Sequence, residues 1–288
     1  MFDMCLQWVR QRLGVKPSWR GDTIKDEWFR AHFCNAAGAV HEWLSQHIKI
    51  EHSHLLDFGC GDGITDLAMV LRYAPQGVLG VDITRTWPRL LQIARREIQL
   101  SHLPVNLQFR QIRPGEMLAA FGQFDATFSW STFEHVNRSL LLPILGDLHA
   151  TLKPGGLLFI QIEPLFYSPF GSHLRRFGIQ PWAHLLLSEA ELEQQVLSFS
   201  GEIPTEEIEY NFQVRSFGDY KRFIFGEYKK LNRLTADELI DVVSTAGFEI
   251  LRETRGRSNL DAPEILRQQY SLDNLLINEV ALLAKRLA

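Results

Sequence analysis

The stretch Leu55-Leu56-Asp57-Phe58-Gly59-Cys60-Gly61-Asp62-Gly63 constrains this chain more than any other. An apolar run of strand character enters a turn with glycine at every second position, and the helical pattern Ile64 to Tyr73 opens directly behind it. Such a strand, turn and helix places backbone N–H groups at a helix start, where a ligand can approach closely. Short apolar runs then recur with helical stretches between them: Gly77 to Ile83, Asn106 to Ile112, Phe124 to Trp130 and Gly156 to Ile162. The intervening helices are Pro88 to Leu100 and Ser139 to Leu152. Alternation of this kind predicts an α/β fold with a parallel sheet and right-handed crossovers.

Around that rhythm the pattern changes twice. Residues 1–50 carry Trp28, Phe29, Phe33, Ala36, Ala37, Val40, Trp43 and Leu44 at helical spacing and read as a helical cap. Residues 163–234 lose the alternation, hold many aromatics and prolines and one helix from Ser188 to Phe199, and follow the carboxyl end of the fifth strand. That is the side where open α/β sheets bind ligands, so the insertion is a candidate lid or substrate wall. A helix from Thr235, with Glu238 three residues on to complete a capping box, precedes final strands at Gly247 to Thr254 and Asn278 to Arg286. The organisation is thus a cap at 1–50, a core at 51–162 and 235–288, and an insertion at 163–234. Lys153-Pro154-Gly155-Gly156 reads as a tight turn into the fifth strand.

Charge narrows the partners. A net charge of −4 argues against nucleic acid or an anionic membrane held chiefly by electrostatics. Cys5, Cys34 and Cys60 lack the paired short spacing of a zinc or disulfide scaffold, which suits a reducing compartment. The first twelve residues lack the features of a secretory leader, and no apolar stretch approaches the roughly 20 residues of a membrane span. The expectation is a soluble, cytoplasmic protein acting on a small molecule.

The turn itself separates cofactors. Position 64 is Ile where the dinucleotide fingerprint wants a small residue. Asp82 ends the second strand nineteen residues past Gly63, placed to accept from two ribose hydroxyls, and this alone suits a nicotinamide cofactor equally well. Asp57, an acid at the head of the turn, favours a ligand bearing an ammonium group over a diphosphate.

With Phe124-Asp125-Ala126-Thr127-Phe128-Ser129, Phe133-Glu134-His135-Val136 and Leu152-Lys153-Pro154-Gly155-Gly156 added in register, the chain resembles the class I S-adenosylmethionine-dependent methyltransferases over about residues 50–162. The Glu-His-Val and Lys-Pro-Gly-Gly elements look most like the ubiquinone-biosynthesis branch, methyltransferase type 11. The resemblance implies a Rossmann-like doubly wound sheet of seven strands, mostly parallel with an antiparallel last strand, and S-adenosylmethionine as cofactor. It assigns Asp57, Gly59, Cys60 and Gly61 to the amino-acid end of the cofactor, Asp82 to the ribose and Ile83 to adenine. Ser129 and Trp130 would lie near the methionine portion, and Glu116 would take the place of the acid that reads the adenine amino group.

For an in-line transfer to an alcohol a base is needed, and His135 is the first candidate, His173 the next. An amine or acidic hydroxyl requires only orientation and desolvation, which supply about 7 to 11 kcal/mol. Glu163, Tyr167, His173 and His184 in the insertion are candidate substrate contacts. Glu163, His173 and His184 also have the composition of a two-histidine, one-carboxylate metal site, but spacings of ten and eleven residues fix no geometry, and no metal is expected. Cys60 reads as a small turn residue rather than a nucleophile. The other readings are a nucleic-acid methyltransferase, a nicotinamide-dependent oxidoreductase and a catalytically silent S-adenosylmethionine-binding protein. Ser129-Trp130-Ser131-Thr132 lacks the Asn/Asp-Pro-Pro-aromatic motif of enzymes that methylate the adenine amino group.

Overall fold

A computed structural model of the protein describes residues 23–203, 214 and 216–287; the expectations for the first twelve residues and Cys5 lie outside them. Seven strands are present among the described residues. Contacts gather the chain into two compact units, residues 1–111 and 112–288.

In the first unit, β1 (His54–Phe58), β2 (Gly77–Asp82) and β3 (Leu107–Gln111) are parallel in the order β3-β2-β1. Phe58 is in register with Val81, so Asp82 projects one residue beyond the end of β1. The helical cap comprises α1 (Glu27–Arg30), a π-helical segment Ala31–Ala36 and α2 (Ala37–Ser45), with Phe29, Phe33, Ala37, Val40 and Leu44 fully buried. A π segment leaves carbonyls off the usual ladder, and the Arg72 guanidinium donates to those of Phe33 and Cys34 at 2.6 and 2.9 Å. Arg72 belongs to α3 (Ile64–Tyr73), whose residues 64–70 are all buried. The helix expected from Pro88 is a 3-10 turn, Trp87–Arg89, leading into α4 (Leu90–Ile98).

In the second unit, β4 (Phe124–Trp130) and β5 (Leu152–Ile162) are parallel, with α5 (Arg138–Thr151) between them in sequence. The Lys-Pro-Gly-Gly element is not a turn ahead of the strand. Phe124 pairs with Leu152 and Ala126 with Leu157, so the element bulges within β5. Gly155 takes φ +75°, and a Cβ at Gly156 would lie 2.9 Å from the Lys153 carbonyl oxygen. Lys153 Nζ holds the bulge to Asp125 Oδ1 at 2.7 Å.

The insertion supplies α6 (Ala183–Leu186), α7 (Glu189–Ser198) and α8 (Phe217–Lys230). It has its own apolar cluster of Leu174, Phe177, Ile179, Ala183, Leu192, Val196, Tyr220 and Phe225. Behind it, α9 (Ala236–Thr245) begins with the Thr235 and Glu238 capping box. β6 (Phe248–Arg257) and β7 (Ile277–Arg286) close the order β4-β5-β7-β6, with β7 antiparallel to both neighbours. Among the described residues no helix is long and apolar enough to cross a membrane.

Candidate functional site

The turn after β1 is a backbone construction. Gly59, Gly61 and Gly63 have φ of 87°, 51° and 79°, a region costly for residues with a Cβ. Gly59 and Cys60 donate their N–H groups to the Val81 carbonyl at 2.8 and 3.1 Å, and Gly61 donates to Asp82 Oδ2 at 2.9 Å. The other Asp82 oxygen accepts from the N–H and hydroxyl of Thr84. Asp82 is thereby fixed in orientation while keeping acceptor capacity. At Gly63 a Cβ would stand 2.5 Å from the Phe109 ring, so this glycine is required by packing as well as by φ.

Beneath the turn the acids accumulate. Asp57 is 3% exposed and Asp66 fully buried. Burial, and then each other's charge and that of Asp82 and Asp62, pushes the Asp57 carboxyl well above the usual range, and burial raises Asp66 also. When both are ionised neither offers a donor, which leaves Asp57 Oδ1 and both Asp66 oxygens without a hydrogen bond. One shared proton satisfies the pair and leaves it with a single negative charge. Asp62 accepts from Ile64 N at 3.0 Å and from Trp28 Nε1 at 2.7 Å, joining the cap to the turn. Among the described residues, none of these four acids forms an ion pair. Cys60 is buried, and burial pushes its thiol up, away from nucleophile character. Ile83 is 54% exposed. Its carbonyl accepts from Gln111 Nε2.

In the second unit Ser129 is buried and Trp130 partly buried against Phe159. Glu116 is exposed and its carboxylate closes its own turn by accepting from Arg113 N at 2.8 Å. Beyond β4, Ser131 has φ 46°, and its N–H and hydroxyl bond to Gln161. The short 3-10 turn Phe133–His135 follows. Glu134 within it is 5% exposed, neither carboxylate oxygen has a partner, and burial raises its pKa to about 8. His173, at φ 60°, reaches the same place from the insertion. Its ring lies 5.4 Å from that of His135, and burial, helped by His135, lowers its pKa to about 3. The ligating atoms of Glu134, His135 and His173 lie within 4.8 Å of one another.

The other insertion residues point elsewhere. His184 is buried, with Nε2 bonded to the Phe166 carbonyl at 2.7 Å, and burial lowers its pKa to about 4. Glu163 accepts from Asn278 Nδ2 at 2.9 Å and lines an open cavity of about 800 Å³ with Phe170, Arg175, Arg257 and Glu279. Tyr167 packs tilted against Tyr270 and edge-on against Phe166. Glu163, His173 and His184 therefore do not form a common cluster.

Residues 55–156 match the family model described as a methyltransferase domain. A ubiquinone biosynthesis O-methyltransferase of Stutzerimonas stutzeri is 32% identical over 120 residues, covering 41% of this chain and 48% of that one. This segment is a class I S-adenosylmethionine-dependent methyltransferase domain. The corresponding protein of Coxiella burnetii is 30% identical over 121 residues, covering 42% and 47%. The chain thus spans about half the length of these curated relatives. Among solved structures, the [4+2]-cyclase SpnF aligns with TM-score 0.50 and 16% identity, over 100% of this chain and 94% of that one. At that identity the likeness speaks for the fold alone.

Two contributors to the methyltransferase domain and its surroundings escape a linear reading. Asp66 looks like an ordinary polar residue of a helix, and only its burial against Asp57 gives it weight. Asn232, after α8, takes the Glu134 carbonyl with its N–H and the Phe133 and Val136 carbonyls with its side-chain amide. No motif marks it; the separation of nearly a hundred residues hides it.

Proposed function

We propose that this chain is a methyltransferase that uses S-adenosylmethionine to modify an oxygen or nitrogen of a small-molecule acceptor. The observation that carries the reading is the set of four acids, Asp57, Asp62, Asp66 and Asp82, gathered at one glycine turn without a cationic partner among the described residues. Their field opposes a diphosphate and favours a cationic ligand. The donor set fits a charged nucleoside: Asp82 has acceptor capacity for ribose hydroxyls, and the Asp57 and Asp66 pair carries negative charge under the turn. When bound, S-adenosylmethionine supplies an electrophilic methyl group.

Asp82 would orient the nucleoside, and the backbone of Ser129 and Trp130 would contact the methionine portion. Glu116 and Ile83 are proposed for the adenine. His135 is the base for an alcohol acceptor. His173, kept neutral by burial and with Nε2 unpartnered, is a hydrogen-bond acceptor that can position the acceptor's hydroxyl. Glu163 and Tyr167 are proposed as acceptor contacts, with residues 163–234 as the wall around it; His184 supports that wall through Phe166. The names of the curated relatives support an oxygen acceptor.

Calorimetry with S-adenosylmethionine, S-adenosylhomocysteine and NAD tests the reading. Binding of the first two and not of NAD is the expected result; NAD binding in their place would reverse it. A screen of phenols, alcohols, carboxylates and amines, read by S-adenosylhomocysteine formation, then identifies the acceptor class.

A further inference from the structure

We propose that the cavity where β5, β6 and β7 meet binds the ammonium group of an amine-bearing acceptor, which Glu163 and Glu279 hold between them. The inference rests on the methyltransferase reading and narrows its substrate class. Glu163 follows the last residue of β5, Glu279 is the third residue of β7, and Gly256 and Arg257 end β6, so the open space of about 800 Å³ is built within the second unit. Its charges do not cancel. Arg257 is spent on Asp273 at 2.6 Å, and the Arg175 guanidinium sits 4.6 Å from the centre of the Phe170 ring. Among the described residues neither Glu163 nor Glu279 forms an ion pair. Burial, and then the Glu279 charge, pushes the Glu163 carboxyl up. Two like charges beside one space destabilise each other, and a cation brought by a ligand relieves both.

What marks these acids as a site is the way they are held. Glu163 Oε1 accepts from Asn278 Nδ2 at 2.9 Å, and Asn278 Oδ1 accepts in turn from the hydroxyl of the buried Ser168 at 3.0 Å. Glu279 Oε1 accepts from Nε2 of the buried Gln161 at 3.0 Å, and Gln161 Oε1 accepts from the Ser131 hydroxyl at 3.1 Å. Each carboxylate is therefore aimed by an amide whose own orientation a hydroxyl fixes, and an amide positions a charge without neutralising it. Acids kept for structure alone would gain more from the arginines in the same wall. Each carboxylate keeps its second oxygen for a ligand. β6 makes room for the one on Glu279: a Cβ at position 256 would lie 3.1 Å from Glu279 Oε2, and glycine leaves that space. The three donors of an ammonium suit two such oxygens, while Phe170, Ile179 and Leu260 offer apolar surface to the rest of the molecule. An ammonium held this way has no lone pair, so it anchors the acceptor and the methyl group goes to a different atom. The rival is an anion anchored on Arg175.

The test uses the full chain with S-adenosylhomocysteine present and three probes on one scaffold: phenethylamine, phenethyl alcohol and hydrocinnamate, which are cationic, neutral and anionic near neutral pH. Saturation-transfer NMR and calorimetry should show the amine binding at least tenfold more tightly than either of the others. Glu163→Gln and Glu279→Gln preserve shape and the amide hydrogen bonds, and each should weaken the amine at least tenfold. Glu249→Gln removes an equal charge from β6 away from the cavity and should change nothing. Absence of amine binding, equal binding of the three probes, or retained affinity in either of the first two variants would overturn the ammonium site. Preference for hydrocinnamate would overturn it in favour of Arg175. Calorimetry with S-adenosylhomocysteine alone reports the cofactor separately. A chain that binds it and ignores the amine refutes this inference only, whereas failure to bind it removes the methyltransferase reading beneath.

Discussion

The glycine turn at 59–63 and the turn at 131–136 both follow the end of a strand, yet they are held in opposite ways. The first is shaped by its own backbone and by the next strand: Val81 and Asp82 receive the N–H groups of Gly59, Cys60 and Gly61. The second depends on side chains from far along the chain, with Gln161 fixing Ser131 and Asn232 fixing residues 133–136. The glycine turn needs the strand beside it and, at Gly63, the packing of Phe109. A turn stabilised from a distance exists only when the rest of its unit has folded.

Substitutions should separate the two. Gly63→Ala should have the largest effect, because it combines φ 79° with a Cβ 2.5 Å from the Phe109 ring. A loss of about 3 kcal/mol in urea unfolding is expected, with part recovered by adding Phe109→Leu. No recovery would mean that φ alone matters and that packing plays no part at this turn. Asn232→Ala comes next, at about 2 kcal/mol, since the Phe133 and Val136 carbonyls lose their side-chain donor while the backbone bond to Glu134 stays. Amide exchange should quicken at residues 133–136 and stay unchanged at 59–63; equal quickening in both turns would erase the contrast.

A pH series should give a smaller effect. The Asp57 and Asp66 pair has raised values in the folded protein, so the fold binds a proton more tightly than the unfolded chain does. Its contribution is therefore full at low pH and is lost as pH rises from the ordinary carboxylate range, near 4, through the raised folded values. Asp66→Asn should flatten the fall in unfolding free energy between pH 5 and pH 8 by about 1 to 2 kcal/mol. An unchanged slope would assign the pH dependence to Glu134 in the other turn. The smallest change should come from Trp28→Phe, which removes one exposed hydrogen bond to Asp62. About 0.5 kcal/mol is expected by thermal melting; a much larger loss would make the cap, rather than the local backbone, the support of the glycine turn.

The same contrast explains what was legible in the sequence. β4 and α3 occupy the expected spans, Phe124–Trp130 and Ile64–Tyr73, because periodicity and turn glycines are local signals. The Lys-Pro-Gly-Gly element was misplaced as a turn because a bulge depends on the strand it pairs with, here through Asp125. Asp57 and Asp82 stand out beside glycines, whereas Asp66 acquires its character only from burial. His173 was legible as a candidate residue, but its meeting with Glu134 was not. Thirty-nine residues and a left-handed backbone step separate them.

Asn232 also ties two distant segments together. It lies two residues beyond α8, at the exit of the insertion, and its amide clasps the segment bearing Glu134 and His135. If that exit swings outward to admit a large molecule, the clasp must release or the segment must travel with it. Admission and dismantling of the histidine cluster would then share one barrier, and the protein could not be both open and chemically assembled at the same moment.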